Sequence, residues 1–270
     1  MRAAERSFYF ASGIDMADKK SGKKKTSKKS ENVVKENSLV YVDYVGRTKE
    51  DGEVFDLTLE DVAKEEGVYK EDDRYEPMLV AVGWNWLLKA IEDELVGMKV
   101  GEKKTVEVPP EKGAGPRDPK KVKKIAIAKL AKQGIQPIKG EKITFGQERG
   151  VITSVLGRTV RVDFNSPLAG KTLVFDVIVR EIVTGKKEKM KAVVKRRIPA
   201  LPDEKFEGGI RGKTVTIELP KETRYIENIQ YAEIGIAADL LKVFEQADEV
   251  KMVVTFERPE EPKEADSDEE

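Results

Sequence analysis

In the run DGEVFD (51–56), Asp56 directly follows Phe55. A carboxylate beside a buried aromatic ring costs stability unless it is partnered or used, so this pair is the first place to look for chemistry. Little else competes with it. The chain has no histidine and no cysteine, which removes Ser–His–Asp triads, imidazole bases, thiolate nucleophiles, disulfides and His- or Cys-ligated metals. Carboxylates alone could hold a hard cation, but no EF-hand loop or comparable acidic spacing occurs and no metal site is expected. There is no GxxxxGK[ST] loop and no GxGxxG after a strand, so no nucleotide and no other cofactor is expected.

Two further stretches are suited to binding. IAIAKLAKQGIQPI (125–138) brings Ile125, Ile127, Leu130, Ile135 and Ile138 onto a short scaffold beside several lysines. Apolar side chains that such a scaffold leaves exposed would bind extended, unfolded segments with little sequence demand. The alternative is that they form the core of their own small unit, which needs most of its apolar residues for itself. In PPEKGAGPRDP (109–119), Ala114 stands between two glycines, so this loop gives up side chain at its centre.

The chain of 270 residues is long enough for one large domain or two modest ones, and its 50 basic and 50 acidic side chains balance. That balance favours neither nucleic acid nor membrane as a partner. No run of 18 apolar residues exists, so no transmembrane span is expected. The opening MRAAERSFYFASGID has too short and broken an apolar stretch for a signal peptide, and Met16 reads as a more natural start. A cytoplasmic location is therefore expected. Residues 16–35 hold eight lysines against Asp18 and Glu31, and 257–270 hold eight acidic residues against Arg258 and Lys263. Both read as solvated, disordered ends. For the basic end, weak, salt-sensitive contact with RNA or ribosomes is the functional alternative.

Between these ends, Val40, Val42 and Tyr44 alternate with Tyr41 and Asp43 as a strand does, and Asp51–Gly52 marks a turn. Leu87, Leu88, Ile91, Leu95 and Met98 follow near helical spacing, and KKTVEVPP alternates again. The pattern breaks at Pro109, short β-like pieces appear at 142–146, 149–155 and 158–163, and alternation resumes in KTLVFDVIVREI (171–182). A sheet interrupted by some fifty residues and then completed implies an inserted domain. Beyond it, AVVKRRI, KTVTIEL and KMVVTFE read as strands around a helix carrying Ile229, Ile236, Leu240, Val243 and Phe244 on one face. The predicted class is α+β. The expected division is a basic tail (1–36), a first domain (37–108 completed by 162–185), an insert (109–161), a C-terminal α+β domain (186–257) and an acidic tail (258–270).

Taken together, YVDYVGRTKEDGEVFD, LLKAIEDELVGMKVGEKKTVEVPPE, RDP and NSPLAGKTLVFDVIV resemble an FKBP-type peptidyl-prolyl cis/trans isomerase. The resemblance is strongest to the SlyD-like branch with an insert-in-flap chaperone domain, and the extra C-terminal unit is similar to the archaeal long form. It implies an antiparallel sheet wrapped on a short helix and a rotamase that also helps unfolded or nascent proline-containing chains to fold. Carried over by motif, the implied pocket is Tyr44, Phe55, Asp56, Leu87, Leu88, Ile91 and Phe175. Asp56 would be the carboxylate near the twisting carbonyl, and Leu88 would offer its backbone N–H. Twisting an amide requires no nucleophile and no proton transfer, which suits a chain without His or Cys. Three departures bear on activity. Ala114 stands where the family has a hydrogen-bonding tyrosine, Ser166 where the SlyD-like pattern has His, and Trp84 and Trp86 where smaller or polar residues are usual. One indole could refill the space left at Ala114, or both could form an exposed sticky platform. The alternative reading is a non-catalytic holdase on the same scaffold.

Overall fold

Strand alternation in SLVYVDYV gives β1 (Leu39–Thr48) two faces. Val40, Val42 and Tyr44 point into a core shared with Ile91 and Leu95, while Leu39 points into another. This computed structural model describes residues 33–199, 207–256 and Arg258. Along one edge β1 pairs with β2 (Val54–Leu57) and β3 (Met78–Ala81), which lie end to end with α1 (Glu60–Glu65) between them in sequence. After α2 (Lys89–Leu95), β4 (Lys103–Val108) leads into the insert. The sheet is completed when β9 (Leu173–Val183) returns to pair antiparallel with both β1 and β4. The expected tail ends earlier than residue 36. Val34 is 1% exposed in this core and its N–H reaches the Met98 carbonyl at 2.8 Å. The lysine run before it and most of the acidic end lie outside the described residues.

The insert carries β5 (Val122–Ala126), α3 (Ile127–Ala131), β6 (Lys142–Phe145), β7 (Glu148–Leu156) and β8 (Thr159–Asp163). Its strands form a separate antiparallel sheet in the order β5-β8-β7-β6, with β8 running to Asp163, past the expected boundary at 161. The sheet has its own core, and here two expected client-binding residues require correction. Ile125 is 7% exposed and Leu130 fully buried among Ile143, Ile152, Val160 and Val162, so neither side chain faces a client. A unit this small spends its central apolar residues on itself. At the base, Asn165 ties the outgoing and returning chains by accepting from the Asp118 N–H (2.9 Å) and donating to its carbonyl (3.0 Å). Arg117 pairs with Asp163 across the same gap.

The C-terminal unit holds α4 (Lys186–Arg197), β10 (Glu207–Arg211), β11 (Thr214–Glu218), α5 (Ile229–Val243) and β12 (Glu249–Val253). β11 pairs antiparallel with β10 and parallel with β12. AVVKRRI, expected as a strand, is instead the second half of α4. Met190, Val193 and Val194 recur at helical spacing and are buried, so burial of that face overrides the β-branched pair. The unit is not independent of the first sheet. Leu39, Leu79, Ala81 and Val183 of that sheet share one core with Val193, Val194, Ile236 and Leu240.

Because Leu39 is 1% exposed between the sheet and this unit, Leu39→Ala should cost about 2–5 kcal/mol. In urea titrations, Trp84 and Trp86 fluorescence and far-UV circular dichroism should shift together to a lower midpoint. Separate midpoints would mean the two units do not share a cooperative core.

Candidate active site

Tyr44, Ile91 and Phe175 are buried in one cluster, and Phe55, Leu87 and Leu88 pack half-buried against it. Strand register brings the three rings together, since β1 pairs with β2 on one side and β9 on the other. Phe55 meets Phe175 edge-on at 5.5 Å between centroids, and Tyr44 lies 6.0 Å from Phe175. Gly46 makes room for this, because a Cβ there would sit 2.9 Å from both phenylalanine rings. Asp56 is exposed, and it joins these rings by accepting the Tyr44 hydroxyl at 2.8 Å. Burial, the Asp56 charge and this hydrogen bond all raise the Tyr44 pKa far above its ordinary value, so the phenol stays protonated and donating.

The strand backbone behind Tyr44 is also fixed. Its N–H donates to the Thr58 hydroxyl at 3.0 Å, and that hydroxyl donates to the buried Asp43 carboxylate at 2.8 Å. Arg180 supplies the opposing charge to Asp43, so this buried carboxylate is paired and hydrogen-bonded. At the other side, α2 begins after Leu88, whose N–H has no hydrogen-bond acceptor among the described residues. The site therefore presents an apolar floor, an oriented carboxylate and an open amide donor. A cavity of about 720 Å³ opens beside the Tyr44–Asp56 pair, bounded by Met78 and Trp86 and reaching Arg196 on α4.

Three family models match along the chain: FKBP-type peptidyl-prolyl cis-trans isomerase at 30–130, FKBP26 IF domain at 123–168 and FKBP26_C-terminal at 186–257. The short-type peptidyl-prolyl cis-trans isomerase of Methanocaldococcus jannaschii is 38% identical over 157 residues, 99% of that protein and 58% of this chain. The chain belongs to the FKBP-type peptidyl-prolyl cis-trans isomerase family. The FKBP-type 16 kDa peptidyl-prolyl cis-trans isomerase of Escherichia coli K12 is 35% identical over 111 residues, 74% of that protein and 39% of this chain. SlyD of Aeromonas hydrophila is 32% identical over 149 residues, 62% of that protein and 54% of this chain.

The departures from the family pattern can be placed. Ala114 is exposed in a loop held by the Gly115 N–H on the Pro110 carbonyl and the Gly170 N–H on the Gly115 carbonyl, both 2.8 Å. Ser166 is exposed in the turn that follows Asn165. Trp84 and Trp86 are half-buried and pack against the core shared with the C-terminal unit. Lys242 sits 3.9 Å from the Trp84 ring centre and Arg196 3.8 Å from that of Trp86. The indoles are thus packed and not a free sticky platform. They join the FKBP sheet to α4 and α5.

One residue of this FKBP site escaped sequence reading. Glu92, 1% exposed on α2, accepts the N–H groups of Gly83 (2.8 Å), Asn85 (3.0 Å) and Leu87 (2.8 Å). It therefore shapes the loop leading to Leu88, including the left-handed Asn85 (φ 57°). A signal was available, since Glu92 adjoins Ile91 and precedes Leu95 by three residues, on the face that packs inward. Glu92→Ala should leave these amides without their acceptor and cost about 3 kcal/mol or more. Glu92→Gln, which keeps one acceptor oxygen, should cost less. Hydrogen exchange at the Gly83, Asn85 and Leu87 amides checks this, and unchanged protection in Glu92→Ala would refute it.

Proposed function

We propose that this chain catalyses cis/trans isomerisation of Xaa-Pro bonds in unfolded or nascent polypeptide, in the pocket of Tyr44, Phe55, Asp56, Leu87, Leu88, Ile91 and Phe175. The observation that carries the reading is the Tyr44–Asp56 hydrogen bond at the rim of an apolar cluster, with the open Leu88 N–H alongside. Rotation about the amide must cross a barrier of about 18–20 kcal/mol because resonance is lost at the twisted state. The twisted amide has a less polarised carbonyl and a pyramidal nitrogen, so an apolar floor favours it over the planar, water-stabilised ground state. The Leu88 N–H holds the substrate carbonyl beyond the proline, and Asp56, aimed by Tyr44, faces the carbonyl that reorients. No atom of the protein is consumed and no proton needs to move.

Exchange NMR on a short Xaa-Pro peptide tests this reading. Asp56→Ala should lower kcat/KM about tenfold, and Ala114→Tyr should raise it about three- to tenfold by returning one hydrogen bond to the twisted state. No turnover by the parent or by Ala114→Tyr would leave a holdase on an isomerase scaffold, the second reading, which the missing hydroxyl at Ala114 favours.

We infer a holdase role for the insert as well, carried by the apolar side chains its core does not absorb. Ile138 is 55%, Val155 40% and Leu156 53% exposed, while Ile127 and Ile135 stay half-buried against the core. A client held there would meet the proline pocket at raised local concentration. The double variant Ile138→Asp/Leu156→Asp should lose suppression of client aggregation, read by light scattering, while turnover of the short peptide stays at the parent level. Suppression that persists would place the client surface elsewhere.

A further inference from the structure

The cavity beside Asp56 is not confined to the FKBP sheet. Its lining runs from Tyr44 and Met78, which pack on the inner core, past Tyr41 and Leu79 of the outer sheet face to Ala192, Lys195 and Arg196 of α4. Its ionic groups are unevenly used. Arg74 pairs with Glu76 and Arg180 with Asp43. Next along α4, Arg197 takes Asp239, with contacts of 2.8 and 2.7 Å. Arg196 has no carboxylate within ion-pair distance among the described residues, although Glu76 and Glu181 also line the cleft. Its guanidinium instead lies 3.8 Å from the centre of the Trp86 ring.

That contact has a chemical consequence. Stacking on an indole occupies one face of the guanidinium and leaves its N–H donors, which lie in the plane, available to a planar acceptor. The side chain is half-buried, and burial together with the adjacent Arg197 charge pushes its pKa down, against the weaker opposing pull of Asp239. A cation held in this way gains from an incoming anion, and a carboxylate matches its fork in geometry as well as charge.

Resting on the isomerase reading above, we propose that Arg196, held on Trp86, is a specificity subsite for an Asp or Glu side chain of the client, a few residues from the proline seated near Asp56. The C-terminal unit thereby contributes directly to substrate choice. Tyr44, Asp56 and Arg196 line one continuous cavity, so an extended segment leaving the Tyr44–Asp56 rim along it meets the α4 wall.

The test uses the full chain and a series of short proline peptides carrying Glu or Gln at each flanking position in turn. Exchange NMR gives kcat/KM, and Trp fluorescence, sensitive to Trp86 beneath Arg196, gives Kd. At one flanking position the Glu peptide should show a kcat/KM about three- to tenfold higher, and a Kd about three- to tenfold lower, than its Gln counterpart. Arg196→Gln should bring that ratio to about one, and Arg196→Lys should retain part of it. A ratio near one at every position in the parent, or one that survives Arg196→Gln, overturns the proposal. Absence of turnover with every peptide would sink the isomerase reading alone, because the Glu/Gln ratio of Kd values still decides whether the subsite exists.

Discussion

A single buried carboxylate sets the geometry on which the rest depends. Glu92, at 1% exposure, accepts three backbone N–H groups from residues 83–87. Without it, three amides would lose their shared acceptor, and the loop would have no reason to keep its left-handed turn at Asn85. This loop then does two things. Its end delivers Leu87 and Leu88 to the apolar pocket, and its middle presents Trp84 and Trp86 to the C-terminal unit. Pocket and domain junction are therefore two sides of one hydrogen-bonded segment.

The junction explains why a third unit can be attached without a flexible linker. The outer face of the FKBP sheet carries Leu39, Leu79, Ala81 and Val183, which would be poor surface residues on an isolated domain. Covered by α4 and α5, they become core, and β1 is buried on both faces over much of its length. The insert follows the opposite logic. It has a sheet and core of its own, and its base is bound by Asn165, Asp118, Asp163 and Arg117. One addition forms a wall of the cavity beside the Tyr44–Asp56 pair, and the other has a core of its own.

Much of this was legible in the residues. Alternation at Val40, Val42 and Tyr44 marked the inner face of β1, and the seven pocket positions carried over by motif fall in or against one cluster. The interrupted sheet announced its insert. What stayed hidden depended on tertiary partners. Glu92 stands in KAIEDEL beside Asp93 and Glu94, and only its place on the Ile91–Leu95 face hints that it differs from those solvated neighbours. Val193 and Val194 read as strand residues until Met190 and the shared core made them one face of α4. Ile125 and Leu130 kept both readings open, because composition does not say which apolar residues a small sheet claims first. Trp84 and Trp86 looked like spare aromatic surface because their partners, Lys242 and Arg196, lie more than a hundred residues away.

The central claim is that a proline-containing segment sits between the Tyr44–Asp56 pair and the Leu88 N–H. Amide chemical-shift mapping of the labelled protein, titrated with a short Xaa-Pro peptide, tests it most directly. The account expects saturable shifts at Leu88, Phe55, Asp56 and Phe175, with the Leu88 amide moving downfield as its open N–H gains an acceptor. Shifts confined to residues 122–163, with Leu88 unmoved, would contradict it and make the insert the whole of the binding site.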